Sequence, residues 1–255
     1  PNVMIGTHEA ANLYILKRET VTILVLMTFA VLTMALLGTM FFTSLRSILD
    51  RRIGTLVIFF ILAMAWSFCD SSLRLFVPFN EVTLCYLSYY ALMCFPVPIV
   101  LFVMDSCKRT YLELEIFCII GFLNVAVQAV LNTLGIASLR GMLPLTHAAI
   151  ALSTAACVWV LIKEKKAGDN TIAGPLLVAF AVIAVTTVVC LVLYWVEDTV
   201  RYLPAMMIGV AAFLVLLLYA IMQAYADRLP EQQTKINDLR IYQNLSLYDA
   251  MTGLM

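Results

Sequence analysis

Apolar residues along this chain come in long unbroken blocks. They do not follow the two-residue or 3.6-residue periods of half-buried strands and amphipathic helices. Seven blocks, at 20–42, 53–75, 83–104, 114–134, 143–162, 173–196 and 203–225, are separated by short polar segments. Each approaches or exceeds the roughly 20 residues a helix needs to cross a hydrocarbon core about 30 Å thick. Barrel strands are excluded, since the blocks are rich in Leu, Ala and Val and do not alternate. In lipid every backbone N–H and C=O must find a partner within the segment, so each block predicts a helix. The expected fold class is an all-α integral membrane protein, a seven-transmembrane helix bundle followed by a cytoplasmic linker helix.

Composition agrees with that reading and adds a direction. Hydrophobic residues make up 63% of the 255 positions and charged residues 13%, with a mean hydropathy of +0.98. Soluble domains average about 25% charged residues. Sixteen basic and sixteen acidic residues cancel, so no global field argues for a nucleic-acid partner. Their placement is uneven. Arg46, Arg51, Arg52, Lys108, Arg109, Lys163, Lys165, Lys166 and Arg228 follow the odd-numbered blocks, and the other connections carry chiefly Arg140 and Arg201. By the positive-inside rule the N-terminus is expected outside and the C-terminus in the cytoplasm, with Lys17 and Arg18 outvoted.

Polar residues inside the blocks are the candidates for function, because such groups are costly at membrane depth. Asn124, Gln128 and Asn132 recur every fourth residue and form one helical stripe. The stripe reads either as a polar cavity or as hydrogen-bonded glue between helices, and glue is preferred. Asp70 and Arg74 have the spacing of an i,i+4 pair near the outer surface. With Glu197, Asp198 and Arg201 they make a candidate outer-face site for an extracytoplasmic ligand, although a plain interfacial ion pair is the simpler account. Pro96 and Pro98 each remove a backbone donor and predict a kink near residues 90–94, which serves as a hinge or as static geometry.

Other chemistries find little footing. His147 is the only histidine within the blocks, and a lone histidine without carboxylate partners is more often a packing residue than a pH sensor. The seven cysteines show neither CxxC nor Cys/His spacing, which argues against zinc, while a Cys69–Cys85 bridge near the outer face stays open. No phosphate-binding glycine loop, catalytic triad or HExxH string occurs, so no catalytic or metal residue is assigned. An odd number of spans without internal duplication disfavours a transporter or channel.

The two ends differ from the middle. Residues 1–19 read as an extracytoplasmic tether, the end of an exported domain, because no initiator methionine or signal peptide opens the chain. Residues 20–225 form the seven-span sensor region and 226–247 a juxtamembrane signalling helix, with Pro230 and Glu231 marking a fresh helical start. Leu229, Ile236, Leu239 and Leu245 supply a seam for pairing with a second copy, or the helix is simply solvated. Residues 248–255 start a further domain.

That last assignment rests on a resemblance. The segment "LSLYDAMTGLM" at 245–255 resembles the opening of the bacterial GGDEF domain, with matches at Asp249, Met251, Thr252, Gly253 and Leu254. An unrelated turn is the alternative, since Asp and Gly favour turns anywhere. The strings "IGTHEAANLYILKRE", "AWSFCDSSLRLF" and "YLSYYALMCFPVPIVLF" are similar to bacterial seven-transmembrane receptors with diverse intracellular signalling modules. The resemblance implies a sensor in the bacterial inner membrane whose homodimeric output, a diguanylate cyclase, makes cyclic di-GMP from two GTP with Mg²⁺. GTP and Mg²⁺ are expected only at that output domain, so this stretch would be inactive by itself. The input module of a sensor histidine kinase is the nearest alternative, and it differs only in the output domain that the linker feeds.

Overall fold

The computed structural model describes residues 8–45, 51–168, 170–196 and 202–252. These residues form helices and short connections, with no strand among them. The elements are α1 (His8–Arg18), α2 (Thr20–Leu45), α3 (Arg51–Asp70), a 3-10 helix (Ser72–Phe76), α4 (Glu81–Cys94), α5 (Pro96–Ser106), α6 (Leu112–Thr133), α7 (Leu143–Ala167), α8 (Ala173–Val196) and α9 (Tyr202–Thr252). Among the described residues seven stretches are long and apolar enough to cross a membrane, the third built from α4 and α5 together.

Local chemistry explains the boundaries. Asn80 caps α4, its Oδ1 accepting from the Val82 amide at 2.9 Å, and Glu81 places an acid in the first turn. Gly135 ends α6 at φ +69°, and the Ile136 amide turns back to the Leu131 carbonyl at 3.0 Å. Gly168 ends α7 at φ +78°. Both positions take the left-handed conformation that costs glycine least.

The third span is broken where Pro96 and Pro98 predict trouble, at Phe95, just beyond the expected 90–94. A proline at 96 cannot donate to the carbonyl four residues back, that of Leu92, which instead accepts from the Phe95 amide at 3.3 Å. Gly121 of α6 lies against this break, so close that a Cβ there would come within 3.0 Å of Val97 Cγ2.

The structure adds one helix before the first apolar block and corrects one expected helix start. α1 is helical within the expected tether, and i→i−4 bonds continue across Glu19 into α2, from Glu19 to Ile15 and from Ile23 to Glu19 at 2.9 Å each. Nor does a new helix start at Pro230, because α9 runs through it without interruption. Its neighbours Glu231, Gln232, Gln233, Lys235 and Leu239 are strong helix formers, so a single proline defect does not end the helix.

The helices close into a ring. Each of α2 to α8 packs against its successor, and α9 returns to α8, α2 and α3. Short connections make successive apolar stretches antiparallel, so the connections after α5 and α7 share one end with the start of α3. We call this the basic end and the opposite one the far end. The interior is aromatic: Phe29, Phe60, Phe180 and Phe213 are fully buried. Outward faces stay apolar, as in Leu24, Met27, Val31 and Met34 of α2 or Val185, Val188 and Val192 of α8.

Candidate functional site

From the break at Phe95 a line of rings leads to α9. Phe95 meets Trp66 and Phe59 of α3 edge-on, with centroids 5.9 and 5.2 Å apart. Phe59 in turn meets Phe213 of α9 at 6.0 Å and 89°, and Phe213 meets Phe180 of α8 at 5.4 Å. Edge-to-face pairs contribute about 0.5–1.5 kcal/mol each beyond burial, so they are directional enough to tie positions together. Thus the helix interruption is joined by one intermediate ring to the helix that leaves the bundle.

α9 is also fixed along its α8 flank. Gly209 is buried, and a Cβ built on it would overlap the Thr186 side chain. Near the basic end the nearly buried Arg52 of α3 places its guanidinium 6.0 Å from the centre of the Tyr225 ring. Tyr225 lies at the foot of the α9 extension, beside Gln223, whose buried Oε1 has no hydrogen-bond partner.

The polar stripe of α6 is partly assembled. Gln128, with 0% exposure, donates through Nε2 to Asn124 Oδ1 at 2.8 Å and to Thr146 Oγ1 of α7 at 2.9 Å. Thr146 returns a 3.3 Å bond to Gln128 Oε1. Asn132 does not join: its backbone carbonyl accepts from the Gly135 amide, because α6 is already turning into its glycine cap there. The arrangement is a bridge between α6 and α7, the glue reading, with Asn124 Nδ2 left unsatisfied.

Asp70 and Arg74 do not share a helical face. Ser71 ends α3 by donating from Oγ to the Phe68 carbonyl at 2.8 Å and by accepting from the Leu73 amide at 3.3 Å, which starts the 3-10 helix carrying Arg74. Arg74 Nη1 donates to the Cys69 carbonyl at 3.4 Å, and it makes no direct salt bridge with Asp70 although its charge still acts on that carboxyl. Arg18 of α1 reaches Ser72 Oγ at 3.3 Å and Glu19 at 3.8 Å, which docks α1 onto this corner. Glu197, Asp198 and Arg201 lie outside the described residues, as do Gly253 and Leu254. Asp249 and Thr252 fall in the last turn of α9 rather than in a turn beyond it. His147 is exposed on the bundle's outer face, and Cys69 and Cys85 are free thiols like the other five cysteines.

Glu164 is the site that sequence reasoning missed. Only 1% exposed, its carboxylate accepts from the Lys108 amide at 2.7 Å, the Tyr111 hydroxyl at 2.6 Å and Asn170 Nδ2 at 3.1 Å. Asn170 Nδ2 also donates to the Ser106 carbonyl at 2.9 Å, and its Oδ1 accepts from the Ile172 amide at 3.1 Å. One buried carboxylate therefore clamps the α5–α6 and α7–α8 connections together. The bond to Glu164 pushes the Tyr111 phenol up to about 12. Burial, with the same carboxylate nearby, pushes the Cys107 thiol up to about 12, so it stays unreactive at neutral pH. The available signal was periodic: Glu164 sits three, four and seven residues after the buried Leu161, Val160 and Cys157, on their face.

Among the described residues no group of three His, Cys, Asp or Glu side chains is arranged to hold a metal. What the geometry offers is mechanical linkage: a broken span, a ring contact to α9, and a clamp holding two connections. Comparison with known protein families, with curated proteins and with solved structures returned no match.

Proposed function

We propose that this chain is the membrane-inserted input and relay region of a bacterial signalling protein with a GGDEF diguanylate cyclase as its output. The observation that carries the proposal is α9, one helix from Tyr202 to Thr252 that holds both the last apolar span and the residues "YDAMT" up to Thr252. A displacement of the span is carried along one continuous helix of 51 residues, about 76 Å at 1.5 Å per residue, in which Pro230 is the interior position that lacks a backbone donor. Membrane insertion is supported by the apolar outward faces, since soluble monomers rarely expose such patches beyond a few hundred Å².

In this reading the basic end faces the cytoplasm and the far end, with α1 and the Arg74 corner, receives the signal. The signal biases packing at the Phe95 break, and Phe59 carries the change to Phe213. On the extension, Ile241 and Tyr242 are 56% and 70% exposed, apolar surface suited to a second copy of the helix. Two output domains brought face to face would then join two GTP, with Mg²⁺ supplied at that domain. The decisive test is the coding sequence after codon 255. An Asn-Arg pair and then Gly-Gly-(Asp/Glu)-Glu-Phe are expected, with cyclic di-GMP formed from GTP by the full-length protein in membranes. A phosphoacceptor-histidine helix there would replace the cyclase with a kinase.

A further inference from the structure

At the basic end, α6 and α7 form a groove that is cationic at its mouth and apolar below. Lys163 of α7 spans it, its Nζ 2.7 Å from Glu113 Oε1 of α6 and 5.4 Å above the Trp159 ring. At about 100° per residue, Trp159, Lys163 and Lys166 fall on one narrow stripe of α7. Trp159 is 59% exposed, and both lysines are exposed. On α6, Ile116 and Ile120 continue the Glu113 face and stay exposed.

We propose that this groove binds one anionic phospholipid, with Lys163 and Lys166 holding the phosphodiester and Ile116, Ile120 and Trp159 seating an acyl chain. The inference rests on the chain being membrane-inserted. Charge complementarity selects the occupant: ammonium groups stand at headgroup level directly over an exposed apolar floor, a pairing that matches an amphiphile with an anionic head. Glu113 is the internal competitor for Lys163. It holds the ammonium in place when the groove is empty and yields it to a phosphate.

The test reconstitutes the full chain in nanodiscs of phosphatidylcholine with or without phosphatidylglycerol of the same acyl chains. Lipid retained after detergent release is counted by native mass spectrometry. One phosphatidylglycerol per chain is expected, falling about fivefold for each lysine removed in Lys163→Gln and Lys166→Gln. Glu113→Gln should retain at least as much, while Arg51→Gln and Arg140→Gln should leave retention unchanged. Inorganic phosphate should not displace the lipid. Equal retention of both lipids, or an equal loss in Arg51→Gln, would overturn the site by showing only diffuse attraction. Lys166 is exposed, so Lys166→Gln still reads the site if Lys163→Gln fails to assemble. A chain that never enters nanodiscs fails the membrane reading instead.

Discussion

Phe59 of α3 stands edge-on to Phe213 of α9, with ring centroids 6.0 Å apart and planes at 89°. Since Phe59 also meets Phe95 at 5.2 Å, the contact places the broken third span one ring away from the helix that leaves the bundle. A pair that merely fills space would lose stability additively when each ring is cut back. A directional pair would not. Phe59→Leu and Phe213→Leu are each expected to lower the thermal midpoint in detergent. The double variant should lose less than the sum, by about 0.5–1.5 kcal/mol of coupling. Additive losses would remove the ring contact from the relay.

Gly209 makes a sharper steric prediction. Its missing side chain is what lets α9 approach Thr186 of α8, whose Oγ1 donates to its own Val182 carbonyl at 2.8 Å. Gly209→Ala forces the helices apart and should destabilise the bundle by about 1–3 kcal/mol, in line with other overpacked contacts. Adding Thr186→Ala should recover part of that loss in the same melting assay, because it removes the two nearest clashing atoms but leaves Cβ.

These contacts also show where sequence reading stops. The seven spans were legible because hydrocarbon thickness fixes a helix length, and the break at Phe95 because Pro96 cannot donate to Leu92. Asn124 and Gln128 were legible as neighbours through their i,i+4 spacing. That Thr146 completes the group, and that Asn132 drops out, depends on how α6 is capped and where α7 returns. Asp70 and Arg74 stay within electrostatic reach but make no direct salt bridge, because the Ser71 cap ends α3 between them. Phe59, Phe95 and Phe213 look alike in sequence to any other buried phenylalanine, since only the ring closure of α9 onto α3 brings them together. Glu164 was hidden among Lys163, Lys165 and Lys166, where a charge run suggests a solvated face.

The clamp at Glu164 should be costly to disturb. Replacing it with Gln puts an amide donor among the three donors from Lys108, Tyr111 and Asn170. At least one of them then lacks an acceptor, for a loss of about 1–3 kcal/mol. Tyr111→Phe removes one donor and leaves the carboxylate with two, so its effect should be the smaller. Thermal midpoints of the two variants in the same detergent check the order; equal or reversed losses would mean the carboxylate is not the hub.

The phenol of Tyr111 supplies a pH signature of the same clamp. Its pKa is raised to about 12, above the ordinary value near 10, because the protonated form donates to Glu164. A raised folded-state value means the bond contributes in full below about pH 10 and is lost as pH climbs through about 12. Alkaline titration monitored by phenolate absorbance should therefore show a component near 12 that is missing in Tyr111→Phe. In Glu164→Gln the hydrogen-bonding acceptor and its charge are both gone, so that component should move down toward the range of ordinary tyrosines. Were it to stay near 12, burial rather than the carboxylate would be holding the proton.

Gln128 offers the last check, at the buried contact between α6 and α7. Its amide reaches both Asn124 and Thr146 from full burial, so Gln128→Leu exchanges three hydrogen bonds for apolar packing of similar volume. Interhelical bonds in membranes are worth about 0.6–2 kcal/mol, because the separated helices also find partners. The substitution leaves Asn124 and Thr146 facing a side chain that can bond neither. A loss within that range is expected from melting in detergent. Thr146→Val in the Gln128→Leu background should restore part of it, since a bridge with both ends made apolar no longer buries an orphaned hydroxyl. If Thr146→Val deepened the loss instead, the hydroxyl would have a role outside the Gln128 bridge, and the glue reading of this stripe would fail.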